Sequence, residues 1–165
     1  MSEKSIIVAH DKDRAIGKNG EMPWQGKLPA ELQHFKERTL RAAVIMGRVT
    51  CDSLTRPLVN RQNIVLSRQT DYERSGFEVT ASLEEAFDVA DANRDIFIIG
   101  GEQIYERALP LVNNLVITKI QHRFDGDRFF PEINQDEWEL TNVSIQPADE
   151  RNKYSYEVHD YTRAQ

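Results

Sequence analysis

The sequence predicts an α/β fold built on a mainly parallel sheet, and three features of it carry that prediction. Short Ile- and Val-rich runs recur along most of the chain, helical patterns fall between several of them, and the last third switches to an alternating, hairpin-like pattern. Apolar runs of this length, without polar alternation, suit strands covered on both faces. Strand–helix alternation places helices over a parallel sheet.

The first such run is Ser5 to Ala9, and further runs are Ala43 to Met46, Asn63 to Leu66, Ile96 to Ile99 and Leu115 to Ile120. A long connection, Ala15 to Trp24, follows the first run. It holds two glycines, one proline, Met22 and Trp24. Long irregular segments in compact domains are often binding segments; a hydrophobic loop anchored on the core is the other reading. Leu28 to Thr39 reads as a helix, with Pro29 well placed at its start. Its Leu28, Leu32 and Phe35 recur at i, i+4 and i+7 and predict one apolar face. Val49 to Leu54, Ser82 to Asp91 and Glu102 to Leu109 read as further helices, and Ser82 with Glu85 fits a capping box. Trp138 to Ile145 and Tyr154 to Tyr161 read as strands joined by a turn-rich segment at 146–153. They predict an antiparallel hairpin on the sheet edge, and hence a mixed sheet.

The chain's 165 residues predict a single domain over 1–165. Its 21 basic and 27 acidic side chains leave a net charge of −6. That argues against a broad nucleic-acid surface, which needs a basic excess, but is silent on one small anion pocket. The lone cysteine, Cys51, excludes an internal disulfide and fits a reducing compartment. No run approaches the ~18 apolar residues of a membrane span. The N-terminal apolar stretch is too short for a secretory signal, so a cytoplasmic location is expected. No exposed apolar stripe argues for a dimer, and a monomer is the default.

Glu31 is the first candidate for chemistry. At ~100° per residue it falls about 40° from Phe35, at the edge of the apolar face. A carboxyl pointed partly inward has its pKa raised by desolvation and can handle a proton near neutral pH. A bland reading competes: acids favour the first helical turn, and Arg38 lies at nearly the same angle two turns on. Two strand–glycine–helix junctions form the second candidate: Met46 into Gly47, and Ile99 into Gly100-Gly101. Glycine lets a ligand approach the backbone, and helix starts offer N–H groups to phosphate. Arg48, Ser67 and Arg68 near strand ends suit a 2′-phosphate, or are ordinary solvated surface. Neither junction matches G-x-G-x-x-G or a P-loop. The four histidines are dispersed without metal-ligand spacing, so no metal site is expected.

Taken in order, Ile7-Val8-Ala9, Ile16-Gly17, Met22-Pro23-Trp24, Leu28 to Leu32 with Phe35-Lys36, and Val44 to Thr50 resemble dihydrofolate reductase. Arg56-Pro57-Leu58, Arg61 to Ser67, Ile99-Gly100-Gly101 with Tyr105, Thr118 and Gly126-Asp127 extend the resemblance over nearly the whole chain. It implies a mixed, mostly parallel sheet of about eight strands flanked by about four helices. It also implies NADPH-dependent reduction of dihydrofolate to tetrahydrofolate, with hydride passing to pterin C6 and a proton to N5, for one-carbon metabolism. On this resemblance Glu31 binds the pterin amino group and N3 and promotes N5 protonation through water, with Thr118 hydrogen-bonded to the carboxylate. Met22 and Trp24 belong to a lid over the nicotinamide, with Tyr105 beside the reacting centre. Ile7 and Ile99 offer carbonyls to the pterin. Leu32, Phe35 and Leu58 line its slot, Arg56 flanks it, and Arg61 pairs with the α-carboxylate of the glutamate tail. For the cofactor, Ala9, Ile16 and Gly17 contact the carboxamide end. Gly47, Arg48, Val49 and Thr50 with Gly100, Gly101, Glu102, Gln103, Ile104 and Tyr105 hold the pyrophosphate region. Leu66, Ser67 and Arg68, with Arg48, surround the adenosine 2′-phosphate.

Some positions depart from the family pattern. Val49 replaces a basic residue, Gly26-Lys27 is extra relative to the shortest members, Val59-Asn60 stands where Pro-Gly is frequent, and Cys51 occupies a commonly aromatic place. Glu31 replaces the Asp of many bacterial members, adding one methylene and altering the fit of antifolate inhibitors. A riboflavin-pathway pyrimidine reductase shares the fold but lacks the Met-Pro-Trp segment and the Glu31–Thr118 pair. A non-catalytic nucleotide-binding module would keep the glycine junctions and lose the acid.

Overall fold

A computed structural model describes residues 2–165. An eight-stranded sheet runs in the order β5-β4-β3-β6-β1-β7-β10-β9, and a two-stranded sheet pairs β2 with β8. The strands are β1 (Lys4–His10), β2 (Ala15–Gly17), β3 (Ala43–Gly47), β4 (Gln62–Leu66), β5 (Glu78–Thr80), β6 (Ile96–Gly100), β7 (Asn114–Ile120), β8 (Arg128–Phe129), β9 (Trp138–Gln146) and β10 (Tyr156–Arg163). The helices are α1 (Pro29–Thr39), α2 (Arg48–Ser53), α3 (Leu83–Val89) and α4 (Glu102–Ala108), with a short 3₁₀ turn at Leu109–Leu111. The chain groups into two compact units: residues up to Ile6 with Thr39–Val112, and Ile7–Arg38 with Asn113–Gln165.

The first unit holds the parallel strands. β3 pairs in parallel with β4 and with β6, and β4 with β5. Ala43, Val44, Ile45 and Met46 are completely buried, which is why this run shows no polar alternation. Ser82 Oγ caps α3 by accepting the Glu85 N–H at 3.1 Å. The return arm of the expected box differs: the Glu85 carboxylate takes the Ala81 N–H at 2.9 Å, one residue earlier. Cys51 is buried and forms no disulfide.

The second unit holds the antiparallel part. β10 pairs with β7 and with β9, and a register shift between Asp160 and Tyr161 marks a bulge in the hairpin. β9 is the outer strand. Tyr156 and Val158 are buried in alternation. Tyr154 lies ahead of β10, in a ring cluster with His122 and Phe124 at centroid distances of 4.6 and 5.0 Å. The predicted apolar face of α1 is corrected here. Leu28 is buried just before the helix and Thr39 at its end, but Leu32 is 51% exposed and Phe35 is half-buried. Among the described residues, no helix is long and apolar enough to cross a membrane, and no His, Cys, Asp and Glu cluster suits a metal ion.

Candidate active site

In the second unit, the acid stands at the start of α1. The first helical turn leaves N–H groups without intrahelical partners. One is taken from far along the chain: the Ala30 N–H donates to Asn152 Oδ1 at 2.9 Å. Asn152 is buried, and its own N–H and Nδ2 donate to Asp149 Oδ1 at 2.7 and 3.0 Å. Beside it the Lys153 N–H donates to the Lys27 carbonyl at 3.0 Å. The turn before β10 therefore holds the beginning of the helix that carries Glu31. Asn152→Ala is expected to cost about 1–2 kcal/mol of stability, as loss of a cap and a buried hydrogen bond. Urea unfolding of the variant checks it.

Glu31 is half-buried, and burial alone pushes its carboxyl from 4.5 up to about 7. Its helix neighbour Arg38 does not neutralise it, because Arg38 Nη2 donates to Asp160 Oδ1 at 3.0 Å. Glu31 is thus not half of an intrahelical ion pair, although it does stand in the first turn of α1. Tyr156 feels its charge. Burial first, and then Glu31 and Asp149, push the Tyr156 hydroxyl up to about 12. Thr118 is buried in the middle of β7, and no hydrogen bond joins it to Glu31. Leu32 and Phe35 present apolar surface on the same helix, while Ile7 is buried in β1 and Ala9 is half-buried.

The connection after β1 is tied down more firmly than its composition suggests. Asp11 is almost fully buried. Its Oδ1 accepts the Asp13 and Ala15 N–H groups at 2.8 Å each, and its Oδ2 accepts the Phe124 N–H at 2.8 Å. Three backbone donors satisfy a buried carboxylate. Sequence reasoning passed over this residue; the signal was an Asp directly after a strand, able to close a turn on the residue two ahead. Further on, the Asp127 N–H donates to the Gly17 carbonyl at 2.9 Å, and the Asn19 N–H to Asp127 Oδ2 at 3.0 Å. Trp24 is buried against Phe124, ring centroids 5.7 Å apart, and its indole Nε1 has no partner. Met22, two residues earlier, is 41% exposed. The segment is therefore anchored at Trp24 and open at Met22, and Ile16 and Gly17 are half-buried in β2.

Gly126 permits this stitching. A Cβ there would stand 2.6 Å from both Ala15 Cβ and the Gly17 carbonyl oxygen. Both belong to β2, so backbone would have to move. Gly126→Ala is expected to cost about 1–3 kcal/mol, as overpacking does. It should also loosen the contacts from Asp127, lowering turnover; thermal melts and steady-state kinetics together check it.

In the first unit, the two glycine junctions lie side by side, because β3 and β6 are neighbours with Met46 opposite Gly100. A Cβ on Gly47 would meet Ile104 Cγ1 at 3.1 Å, and one on Gly101 would meet Thr50 Oγ1 at 3.6 Å. Gly100 has φ +125°, a conformation that favours glycine, and a Cβ there would meet the buried Tyr105 ring at 3.4 Å; the Gly100–Gly101 peptide is cis. Gly47 and Gly101 cap α2 and α4 without a side-chain hydrogen bond. Gln103 is exposed, while Ile99 and Glu102 are half-buried. Close by in the chain, Arg48 Nη1 donates to Asp52 Oδ2 at 2.8 Å, and Val49 is 72% exposed. Leu66 and Ser67 are buried, Ser67 Oγ accepting the Gln69 N–H at 3.1 Å, and Arg68 is exposed.

Arg61 is held in place. Its Nε donates to the Val59 carbonyl at 3.0 Å and its Nη1 to Thr39 Oγ1 at 2.9 Å. Burial pulls its pKa down. Buried Asn63 closes the preceding turn by accepting the Leu58 N–H and donating to the Leu58 carbonyl, both at 3.0 Å. Leu58 is half-buried and Arg56 exposed.

The architecture and these residues define an α/β protein with a desolvated acid in one unit and two adjacent glycine junctions in the other. The family model for dihydrofolate reductase matches residues 4–163. The chain is 40% identical over 159 residues to the dihydrofolate reductase of Staphylococcus haemolyticus, covering 96% of this chain and 95% of that one. It is 41% identical over 159 residues to that of Bacillus subtilis (strain 168), covering 96% and 94%. A solved structure of dihydrofolate reductase from Enterococcus faecalis, complexed with NADP(H) and RAB-propyl, superimposes with a TM-score of 0.91 at 36% identity, covering 99% of this chain and 97% of that one. This chain belongs to the dihydrofolate reductase family.

Proposed function

We propose that this chain reduces 7,8-dihydrofolate to tetrahydrofolate with NADPH. The observation that carries the reading is Glu31: a half-buried carboxyl on a capped helix, with no ion-pair partner among the described residues, lifted to about 7 by burial. Such a group holds a proton part of the time at neutral pH, as a reaction that adds one requires.

When bound, the dinucleotide supplies hydride for pterin C6. The chain's own residues do the rest. Gly47, Gly100 and Gly101 leave room that a side chain would fill, and the starts of α2 and α4 offer backbone N–H groups to the pyrophosphate. Arg48, Ser67 and Arg68 take the 2′-phosphate. Glu31 accepts hydrogen bonds from the pterin amino group and N3, orients the ring and keeps a proton available for N5 through water. Exposed Leu32 and half-buried Phe35 gain cover from the pterin and benzoyl rings. The unpartnered Trp24 indole N–H is a donor for an ordered water or the ligand. Arg61 receives the glutamate α-carboxylate. Antifolates would meet the same set, with Glu31 reaching one methylene further than Asp.

The test is a coupled assay following NADPH oxidation with dihydrofolate, repeated with NADH. Turnover that needs dihydrofolate supports the reading. NADPH oxidation indifferent to dihydrofolate would overturn it.

A further inference from the structure

We propose that Asp52 limits this chain's preference for NADPH over NADH by holding Arg48 in an ion pair that the 2′-phosphate must loosen. The inference rests on Arg48 being a 2′-phosphate ligand. α2 sets Arg48 and Asp52 one turn apart, and Arg48 Nη1 meets Asp52 Oδ2 at 2.8 Å. The other carboxylate oxygen is not free to swing away: the Tyr72 hydroxyl donates to Asp52 Oδ1 at 2.7 Å. That hydroxyl also lies 3.2 Å from Sγ of fully buried Cys51, which anchors it to the core. The carboxylate is thus fixed from two sides, one of them rigid.

The neighbouring positions do not compensate. Val49, next to Arg48, is 72% exposed and carries no charge. Ser67 Oγ is already engaged by Gln69. Of the other cations here, Arg74 is spent on the Cys51 and Leu54 carbonyls, and Arg68 is exposed with no ion pair among the described residues. A dianionic phosphate at Arg48 therefore meets a guanidinium already shared with a carboxylate, and feels that carboxylate's charge over less than a Debye length. An exposed i,i+4 pair is worth little to the fold. At a ligand site the same pair enters discrimination directly, because NADH has no 2′-phosphate to compete for Arg48.

The test is steady-state kinetics with NADPH and NADH for wild type, Asp52→Asn, Arg48→Ala and the double variant. Asparagine keeps an oxygen for the Tyr72 hydroxyl, so the local fold is retained. Asp52→Asn is expected to raise the NADPH-to-NADH ratio of kcat/KM about three- to fivefold, through a lower KM for NADPH. The gain should shrink in high salt and vanish in the Arg48→Ala background. If Asp52→Asn leaves the ratio unchanged or lowers it while Arg48→Ala also lowers it, this inference fails and Arg48 keeps its role. A gain that persists without Arg48 also overturns it, since Asp52 would then act on the phosphate directly. A ratio unmoved by Arg48→Ala removes the underlying reading of Arg48, and the inference with it.

Discussion

Replacing Glu31 with glutamine is expected to leave NADPH binding intact and to cut turnover at neutral pH by at least about a hundredfold, the usual worth of a positioned acid. Glutamine keeps the shape and an acceptor oxygen but cannot hold the proton. Wild-type turnover should fall about tenfold per pH unit above about 7, where the carboxyl loses its proton, and the variant should lose that dependence. The same substitution has an opposite effect on stability. The folded-state pKa is raised from 4.5 to about 7 by burial, so the folded protein binds more protons than the unfolded chain in between. The stabilising contribution is full below the unfolded value and is lost as pH rises through 7. At about 1.4 kcal/mol per unit, the ionised carboxylate costs up to about 3 kcal/mol above that pH. Glu31→Gln should therefore be the more stable protein at about pH 8.5 and lose that advantage near pH 4. Urea midpoints at the two pH values measure it. Equal pH dependence in both proteins, with full activity in the variant, would remove Glu31 from the chemistry.

Local pattern made much of this fold legible, and long-range pairing accounts for what it hid. β3, β4, β6 and β7 are buried on both faces, so their sequences carry the signal along their whole length. β2, β5 and β8 are three residues or fewer, too short for a period to appear. The i, i+4, i+7 pattern of α1 did predict a helix but not its packing. Leu28, Leu32 and Phe35 read as one apolar face, yet the fold buries Leu28 alone and leaves Leu32 exposed and Phe35 half-buried. What draws Arg38 away from Glu31 was equally invisible locally. Arg38 finds its partner in Asp160, and the helix start finds its cap in Asn152, each 122 residues away. Asp11 closes on Phe124 across 113 residues. Arg48 and Asp52 were the reverse case: their i, i+4 spacing was visible in the sequence, and so was the chance of an ion pair between them.

Arg61→Ala is expected to weaken dihydrofolate binding by about 2–5 kcal/mol, the usual loss when one member of a desolvated charge pair is removed. The side chain is prepared for an anion. The Val59 carbonyl and Thr39 hydroxyl hold Nε and Nη1, leaving Nη2 and the second Nη1 proton for a carboxylate. No carboxylate of the chain pairs with Arg61 among the described residues, although burial already disfavours its charge. A guanidinium fixed in this way loses little further freedom on binding, so more of the interaction appears as affinity. Lysine would restore the charge but not the planar fork, and could not hold Thr39 and a bidentate carboxylate together. Arg61→Lys should therefore recover only part of the loss. A dihydropterin without the glutamate tail supplies the control: wild type and Arg61→Ala should bind it equally. Equal affinity of the two proteins for dihydrofolate itself would mean that the guanidinium serves the turn at Val59 and not the substrate.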